Sequence, residues 1–248
     1  MNKVFPKIIS VVVFFLSWHL LVQFFSFPAY ILPSPLEVFN VLIGNIEIIS
    51  FNAVITFLES FTGFLLANLI SILIALLIAF HNKLEDVVMP IAIVIKTMPI
   101  IAIVPLLIIW FGPGVFSKIV TAMLICFFPA LVNVLRGIKC LDRDLLALFR
   151  VYAADRKQLT KMLILPAIMP YLFAAFKVSS SLSVIGALVG EFISSNKGLG
   201  FLIISSYYNM NTALVLAAVA ISSIMGLSFY YAINFFEKRM VLKSELMV

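Results

Sequence analysis

We predict an all-α, polytopic membrane protein, and three features of the sequence lead to that fold class. Of its 248 residues, 64% are hydrophobic and 11% are charged, with a mean hydropathy of +1.20, whereas soluble domains carry roughly a quarter charged residues. Several apolar runs reach the roughly 20 residues that a helix needs to cross a bilayer. Basic residues concentrate in alternate connections between these runs, as multi-pass membrane proteins require.

The length leaves room for one transmembrane domain over residues 1–248. Six spans use roughly 120 residues, and the remainder is too short for a fused ATPase. The chain has no G-x-x-x-x-G-K-[ST] sequence, the motif that cradles nucleotide phosphates. With only His19 and His81, a metal site has little support, so we expect no metal and no cofactor in this chain. The net charge of +6 indicates membrane orientation rather than a nucleic-acid partner.

The first predicted span covers residues 8–27 and is interpreted as a retained anchor, because no small-residue cleavage site follows it. Prolines in Tyr30-Ile-Leu-Pro-Ser-Pro35 then interrupt the chain. Residues 36–49 carry Glu37 and Glu47 among apolar residues, which is too polar for a span. This segment is predicted to be a short helix at the membrane surface.

Five further spans are predicted from the remaining apolar runs. Three prolines, Pro90, Pro99 and Pro105, interrupt the third span, and they either shape a pathway or kink a packed helix. The longest polar stretch of the chain follows the fourth span. These spans cover 53–80, 87–111, 115–135, 164–193 and 214–236, and the polar stretch covers 136–161.

Three glycines, Gly63, Gly186 and Gly190, lie within the predicted spans. Because glycine lets two helix backbones approach closely in a membrane, we expect these positions to mark helix contacts.

The distribution of basic residues predicts the direction of the spans. With the N-terminus in the cytoplasm, 13 of the 17 basic residues fall in cytoplasmic segments. Lys118 and Lys197 fall in outer turns, and Lys96 and Lys177 fall within spans. Because basic loops stay on the cytoplasmic side, we predict that both termini are cytoplasmic.

The polar stretch 136–161 is long for a connection, and long connections often carry a function. Asp142 and Asp144 suit the start of a helix. The residues that follow place apolar side chains at helical spacing on one face. Such a helix docks into a groove on a partner or lies among lipid headgroups, and the pattern favours neither. The apolar face consists of Leu145, Leu148, Phe149 and Tyr152.

The residues from Ala147 to Pro166 resemble the cytoplasmic signature of the permeases of binding-protein-dependent ABC importers. That signature reads Glu-Ala-Ala, three residues, Gly, nine residues and Ile-x-Leu-Pro, and it aligns here without gaps. Because the signature's glutamate is replaced by alanine, either coupling relies more on apolar contact or the chain pairs with an atypical ATPase, and a paralogue that no longer transports is a further alternative. Leu165 and Pro166 match the signature, Leu163 replaces Ile, Ala147 replaces Glu, Leu148 and Phe149 replace the two Ala, and Ala153 replaces Gly.

Further segments resemble the nitrate, sulfonate and taurine branch of the same permeases, in the same order and spacing from residue 30 onward. On these motifs together, the chain is identified as a member of the ABC importer permeases. The segments are Tyr30-Ile-Leu-Pro-Ser-Pro35, Lys96-Thr-Met-Pro-Ile100, Val104-Pro-Leu-Leu-Ile-Ile-Trp-Phe-Gly112, Phe127-Phe-Pro-Ala-Leu-Val-Asn133, Glu191 and Gly198-Leu-Gly200.

The resemblance implies the type I ABC importer permease fold, with a core at about 51–236 and a coupling loop at 136–161. In such importers two permease chains, here expected to be a homodimer, enclose the pathway in the bacterial plasma (inner) membrane. Separate ATPase subunits bind ATP and Mg, and a solute-binding protein delivers the solute, so the permease is not itself an enzyme. The loop helix is the family's coupling helix. The implied ATPase-coupling residues are Ala147, Leu148, Phe149, Arg150, Tyr152, Ala153, Arg156, Leu165 and Pro166.

Charged residues within spans are functional candidates, because a charge at membrane depth costs at least about 2.5 kcal/mol. Lys96 and Lys177 offer positive potential to an anionic substrate, or they snorkel or pair. Pairing with one of these lysines is the simplest expectation for Glu59. Glu191 is expected at the outer gate or at a contact with the binding protein. The candidate pathway residues are Lys96, Pro99, Lys177 and Glu191.

Two rival functions remain open. A secondary transporter driven by ion gradients commonly shows inverted repeats, and the chain has no convincing internal duplication. An intramembrane enzyme needs a nucleophile with a base or a metal cluster, and neither histidine has suitable partners nearby in sequence. For the importer, we expect a small anion such as nitrate, a sulfonate or taurine, with a thiamine-precursor pyrimidine or another vitamin as the alternative.

Overall fold

A computed structural model describes residues 5–81 and 83–245, apart from the side chains of residues 5, 7, 8, 143, 150 and 241–245. All regular structure in these residues is helical, which confirms the predicted fold class. In chain order the helices are α1 (Phe5–Phe25), α2 (Pro35–Gly44), α3 (Ile46–Phe80), α4 (Lys83–Thr97), α5 (Ile100–Phe111), α6 (Val115–Lys139), α7 (Arg143–Val151), α8 (Arg156–Leu159), α9 (Leu165–Ser194), α10 (Leu199–Tyr208) and α11 (Thr212–Glu245).

Four stretches of helix are long and apolar enough to cross a membrane: α3, α6, the continuous helix Arg156–Ser194 and Thr212–Met240 of α11. Helices α4 and α5 together make a fifth span if the pair is counted as one. The apolar part of α1, Ile9–Phe25, is shorter. These helices are compatible with the predicted six spans, and both that count and the side on which the termini lie stay predictions.

Helices α3, α6 and α9 form the centre of the bundle, and small side chains set their spacing. A Cβ added to Gly63 of α3 would lie 2.6 Å from the Cβ of Ala122 in α6. A Cβ added to Gly186 of α9 would lie 2.6 Å from the Cα of the same Ala122. Lipid gives helices no hydrophobic reason to associate, so close approach of small residues holds them together. The expectation for these glycines is confirmed, and Gly190 lies likewise against Lys118.

The bundle has an apolar core at each end. Ala75, Leu131 and Ile168 belong to a buried cluster that joins α3, α6 and α9 near the polar loop. We call this the cytoplasmic end, following the charge distribution, and the opposite end the outer end. Near the outer end, Ile49 and Leu199 belong to a second cluster, which joins α2, α3, α10 and α11.

The third predicted span is broken. Helices α4 and α5 meet at an angle of 102° around Met98 and Pro99. Pro99 is the residue before the first turn of α5, where the missing amide donor costs nothing. Pro90 and Pro105 lie inside α4 and α5 without ending them. Of the three prolines, only Pro99 interrupts the span.

Three boundaries differ from the prediction. The surface helix ends at Gly44 and α3 begins at Ile46, seven residues before the predicted start of the second span. Helix α6 extends to Lys139, past its predicted end at residue 135, and the helix that continues into α9 begins at Arg156, before the predicted start of the fifth span at residue 164. Helix α10 was not predicted, because its ten residues are too few for a span.

Candidate functional site

Helix α7 lies in the polar loop at the cytoplasmic end. It begins where predicted, with the Asp142 carboxylate accepting a hydrogen bond of 2.9 Å from the amide of Asp144. A carboxylate at the first turn satisfies a free amide and complements the helix dipole. The helix ends at Val151, so it is a short segment between two spanning helices.

Ala153 ends α7 in a left-handed conformation. Its φ is +50°, and the amide of Ala154 donates a hydrogen bond of 3.0 Å to the carbonyl of Phe149. This six-to-one bond after a left-handed residue is the Schellman arrangement, which usually places glycine at that position. Ala153 occupies the glycine position of the permease signature. At the position where the signature has glycine, the chain therefore has a turn that usually requires glycine.

The segment after this turn starts the next spanning helix at once. The Asp155 and Gln158 side chains each accept a hydrogen bond from the other's backbone amide, which is a capping box. Helix α8 passes through a π-helical turn, Thr160–Ile164, directly into α9. Pro166 lies within the first two residues of α9. Because proline lacks an amide donor, the wider π turn accommodates it without ending the helix.

The apolar residues of α7 face two ways. Leu148 is 48% exposed and Tyr152 is 77% exposed, and Ala147 and Ala153 are exposed as well. Phe149 instead points inward and lines a cavity of about 480 Å³ beneath the helix. The predicted single apolar face is therefore divided, with Phe149 on its inner side.

Basic residues flank this loop. The guanidinium of Arg156 lies 5.4 Å from the ring centroid of Phe80 at the end of α3, a cation–π distance. The side chain of Arg150 is outside the described part of the structure. Lys139 forms an ion pair with Glu85 of α4 on the same side of the bundle.

A second polar site lies at the outer end, where buried side chains hold the start of α10. The amide of Gly198 donates to Asn52 over 2.7 Å, and that of Leu199 donates to the Thr56 hydroxyl over 2.8 Å. The amide of Gly200 donates to the carboxylate of Glu191. These are the first amides of α10, which lack partners within the helix.

Glycine is required at Gly198 for two reasons. Its φ is +102°, a region that other residues rarely adopt, and a Cβ there would collide with the Glu191 carboxylate. A Cβ on Gly200 would lie 2.7 Å from the Cβ of Glu191. The Gly198-Leu-Gly200 motif therefore lets the backbone approach this carboxylate.

Glu59 belongs to the same outer site, and its expected pairing with Lys96 or Lys177 is wrong. It is 1% exposed and faces Glu191, and Lys118 is the cation near both carboxyl groups. Lys118 was assigned to an outer turn, but it is buried in α6 and donates a hydrogen bond to the Pro113 carbonyl. Sequence spacing could not show this, because the three residues belong to three different helices.

The candidate pathway residues do not converge. Lys96 is exposed, with its ammonium 4.6 Å from the ring centroid of Phe128, and it lies three residues before Pro99 at the break. Lys177 forms an ion pair of 2.8 Å with Glu237 of α11. Glu191 is buried in the outer site. Their assignment to a pathway stays a prediction.

Comparison with known proteins identifies the chain. Residues 67–242, most of its length, match the family described as binding-protein-dependent transport system inner membrane component. The chain is an ABC transporter permease of this family. The predicted family, the function class and the location in the bacterial plasma membrane are thereby confirmed.

Several permeases are similar over most of their length. A probable ABC transporter permease of Haemophilus influenzae is 32% identical, over 96% of this chain and 98% of its own. The formylaminopyrimidine transport permease of Halalkalibacterium halodurans is 31% identical, over 84% of each chain. The riboflavin transport system permease of Chloroflexus aurantiacus is 29% identical, over 94% of this chain and 88% of its own. Permeases named for aliphatic sulfonates, taurine and nitrate also match.

Sequence reasoning missed some residues of the permease's two sites. Val151 is 83% exposed beside Tyr152 on α7, and it follows Leu148 by three residues, a spacing that was available in the sequence. Asn52 and Thr56 of the outer site were missed as well. They form a stripe with Glu59 at intervals of four and three residues, and a polar stripe in an apolar helix indicates a buried helix contact.

Proposed function

We propose that two copies of this permease enclose the pathway of an ATP-driven importer. Separate ATPase subunits, which bind ATP and Mg, dock on the cytoplasmic end, and a solute-binding protein delivers the solute to the outer end. Closure of the ATPase dimer pushes on α7 and opens the pathway alternately to each side. The family's description as binding-protein-dependent supports the delivery step.

The observation that carries this proposal is the exposed apolar side of α7. Leu148, Val151 and Tyr152 project from the cytoplasmic end, at 48%, 83% and 77% exposure. Exposed apolar groups on a polar loop mark a contact with a partner. The left-handed turn at Ala153, at the glycine position of the signature, follows them directly, which favours docking over a helix that rests only on lipid.

The proposed ATPase contact uses the exposed residues of the predicted coupling set, with charged groups at its rim. Ala147 is small enough to let the partner approach α7, and Arg156 is held beside Phe80 at the rim. Leu165 and Pro166 lie in the spanning helix and position the loop rather than meet the ATPase. Phe149, also of the predicted set, lines the inner cavity instead, and Arg150 is assigned to the rim with Arg156. The exposed contact residues are Ala147, Leu148, Tyr152 and Ala153.

Co-purification tests this contact. Leu148→Asp with Tyr152→Asp should lower the amount of ATPase that co-purifies with the permease at least tenfold, because two charges would be buried without partners. The matched control is Tyr207→Asp with Tyr208→Asp, which changes two exposed aromatic residues at the outer end. Equal retention of the ATPase by both variants would contradict the proposal. Uptake by proteoliposomes that lack any ATPase would favour a secondary transporter instead.

The helix break at Pro99 supports a pathway between two copies. Met98 is 46% exposed and Pro99 is exposed on the surface of the single chain. Interrupted backbone is tolerated at membrane depth only where it is covered by protein or lines water. A second copy facing the break supplies that cover, and Lys96 and Pro99 then line the space between the copies.

For the solute, we propose an uncharged heterocycle of the pyrimidine class. Lys177 is neutralised by Glu237, and Lys96 rests on the Phe128 ring, so both lysines of the predicted pathway are engaged. A relative at 31% identity is named for formylaminopyrimidine. The predicted nitrate-like or sulfonate anion is the second candidate, because Lys96 is exposed beside the break.

Uptake by the reconstituted importer separates the two candidates. Lys96→Met preserves the length of the side chain and removes its charge. It should leave uptake of formylaminopyrimidine within about twofold of the unchanged protein. Nitrate or taurine as the true solute would instead show uptake by the unchanged protein and a loss of at least tenfold in Lys96→Met.

A further inference from the structure

We infer that Phe149 is a positioning residue that transmits the motion of α7 into the ends of the spanning helices. It acts through the inside of the permease, whereas the exposed residues of α7 contact the ATPase. The inference rests on the proposed function, because it assumes that an ATPase pushes on α7.

The cavity beneath α7 is the first observation. Its walls come from the cytoplasmic ends of three spanning helices, represented by Phe80 of α3, Leu135 of α6 and Ile164 at the π turn before α9. Leu146 and Phe149 of α7 line it on the side of the polar loop. About 480 Å³ remains open with the Phe149 side chain in place. The aromatic ring therefore has room to move between the helix ends when α7 is pushed toward the membrane.

The attachment of α7 is the second observation. Within the described residues, α7 does not pack along any other helix. Among the described side chains of α7, those of Leu146 and Phe149 line the cavity, and short links join α7 to α6 and α8. We expect a force on α7 to reach the bundle through these groups.

Phe149 contributes both to the side chains that face the bundle and to the link at the end of α7. Its side chain enters the cavity, and its carbonyl accepts the hydrogen bond from Ala154 that fixes the turn into α8. The signature has alanine at this position, which carries no side chain long enough to reach into such a space. A phenyl group is rigid, with two rotatable bonds, and it transmits displacement better than a flexible chain.

Replacing Phe149 with alanine should separate binding from transmission. In the reconstituted importer with its ATPase and binding protein, Phe149→Ala should retain the ATPase within about twofold and still hydrolyse ATP.

Transmission can be measured without knowing the solute. With Cys140→Ser as background, spin labels on Tyr208→Cys of the two copies report the distance between their outer ends. ATP and Mg should change that distance in the background protein, and Phe149→Ala should abolish the change.

Two further variants guard against a folding defect. Phe149→Leu should restore at least half of the distance change, because it refills the cavity with an apolar side chain. Ala79→Leu leaves Phe149 intact but fills the cavity that Ala79 also lines, and it should block the change as Phe149→Ala does. If Phe149→Ala does not fold, the distance change measured in Ala79→Leu tests the inference by itself.

The outcomes are distinct. Loss of the ATPase from Phe149→Ala, as expected for Leu148→Asp with Tyr152→Asp, would make Phe149 a direct contact and overturn the inference. A normal distance change in Phe149→Ala or in a folded Ala79→Leu would also overturn it. Failure of the background protein itself to bind an ATPase or to respond to ATP would refute the proposed function.

Discussion

The hydroxyl group of Thr56 in α3 donates a hydrogen bond of 2.6 Å to the carboxylate of Glu191 in α9, 135 residues away in the chain. The same hydroxyl accepts a hydrogen bond from the first amide of α10. One completely buried side chain thus ties three helices together at the outer end.

Thr56→Val should destabilise the permease by about 1–3 kcal/mol, because it leaves a buried carboxylate oxygen and a buried amide without partners. The matched control is Thr62→Val on the same helix, since within the described residues the Thr62 hydroxyl donates to the carbonyl of Leu58 and to no group of another helix. Thermal unfolding in detergent measures both. Equal melting temperatures for the two variants would show that the inter-helix hydrogen bonds add nothing.

Gly63→Ala should destabilise the bundle by about 1–3 kcal/mol through overpacking, because the new Cβ meets Ala122 at 2.6 Å and the Ile119 carbonyl at 2.9 Å. Adding Ala122→Gly should restore part of the loss, since it removes the first contact and not the second. Gly226→Ala is the control, because its Cβ meets nothing within 4 Å. Thermal unfolding of the unchanged protein, the two single variants and the double variant gives the comparison. A stability of Gly226→Ala below that of Gly63→Ala would contradict this account.

Ala153→Gly should stabilise the turn after α7 by about 1 kcal/mol, because an alanine in the left-handed conformation costs roughly 1–2 kcal/mol. Hydrogen exchange of the Ala154 amide, which bonds to Phe149, should become slower. Ala147→Gly, inside α7, should have the opposite effect by about the same amount. Faster exchange in Ala153→Gly would mean that the turn is not adopted in solution.

Lys177 and Glu237 should show a favourable coupling of about 0.5–3 kcal/mol in a double-mutant cycle. Lys177→Met or Glu237→Gln alone leaves the partner charge unpaired in a half-buried position. The double variant should therefore be less destabilised than the sum of the two. Additive effects on the midpoint of thermal unfolding would show that the pair contributes nothing.

The sequence predicted the helices and the loop well, because apolar length and basic connections are strong signals in membrane proteins. The prolines were less informative, since Pro90 and Pro105 remain within helices while Pro99 lies in the break between α4 and α5. A proline in the sequence shows where an amide donor is missing. Whether the helix is interrupted there depends on its packing against neighbouring helices.

The partners of charged residues could not be predicted from spacing. Lys177 pairs with Glu237 over 60 residues, and Glu59 meets Glu191 and Lys118 from two other helices. Such contacts depend on the rotation of each helix about its axis, which small residues such as Gly63 and Gly186 fix. The direction of a side chain on a short helix is equally hard to predict from spacing. Phe149 was placed on the same apolar face as Leu148 and Tyr152, but it lines the inner cavity.

The helix from Arg156 to Ser194 runs without interruption for 39 residues, about 58 Å at the rise of a helix. The polar loop lies at one end of it and Glu191 near the other, so in the proposed importer it connects the two sides of the membrane as one rigid element. If an ATPase docks on α7 as proposed, a tilt of this helix about its middle would displace Glu191 in the opposite direction. The Gly200 amide, which donates to Glu191, would be displaced with it, so the proposed function makes the start of α10 responsive to events on the other side of the membrane.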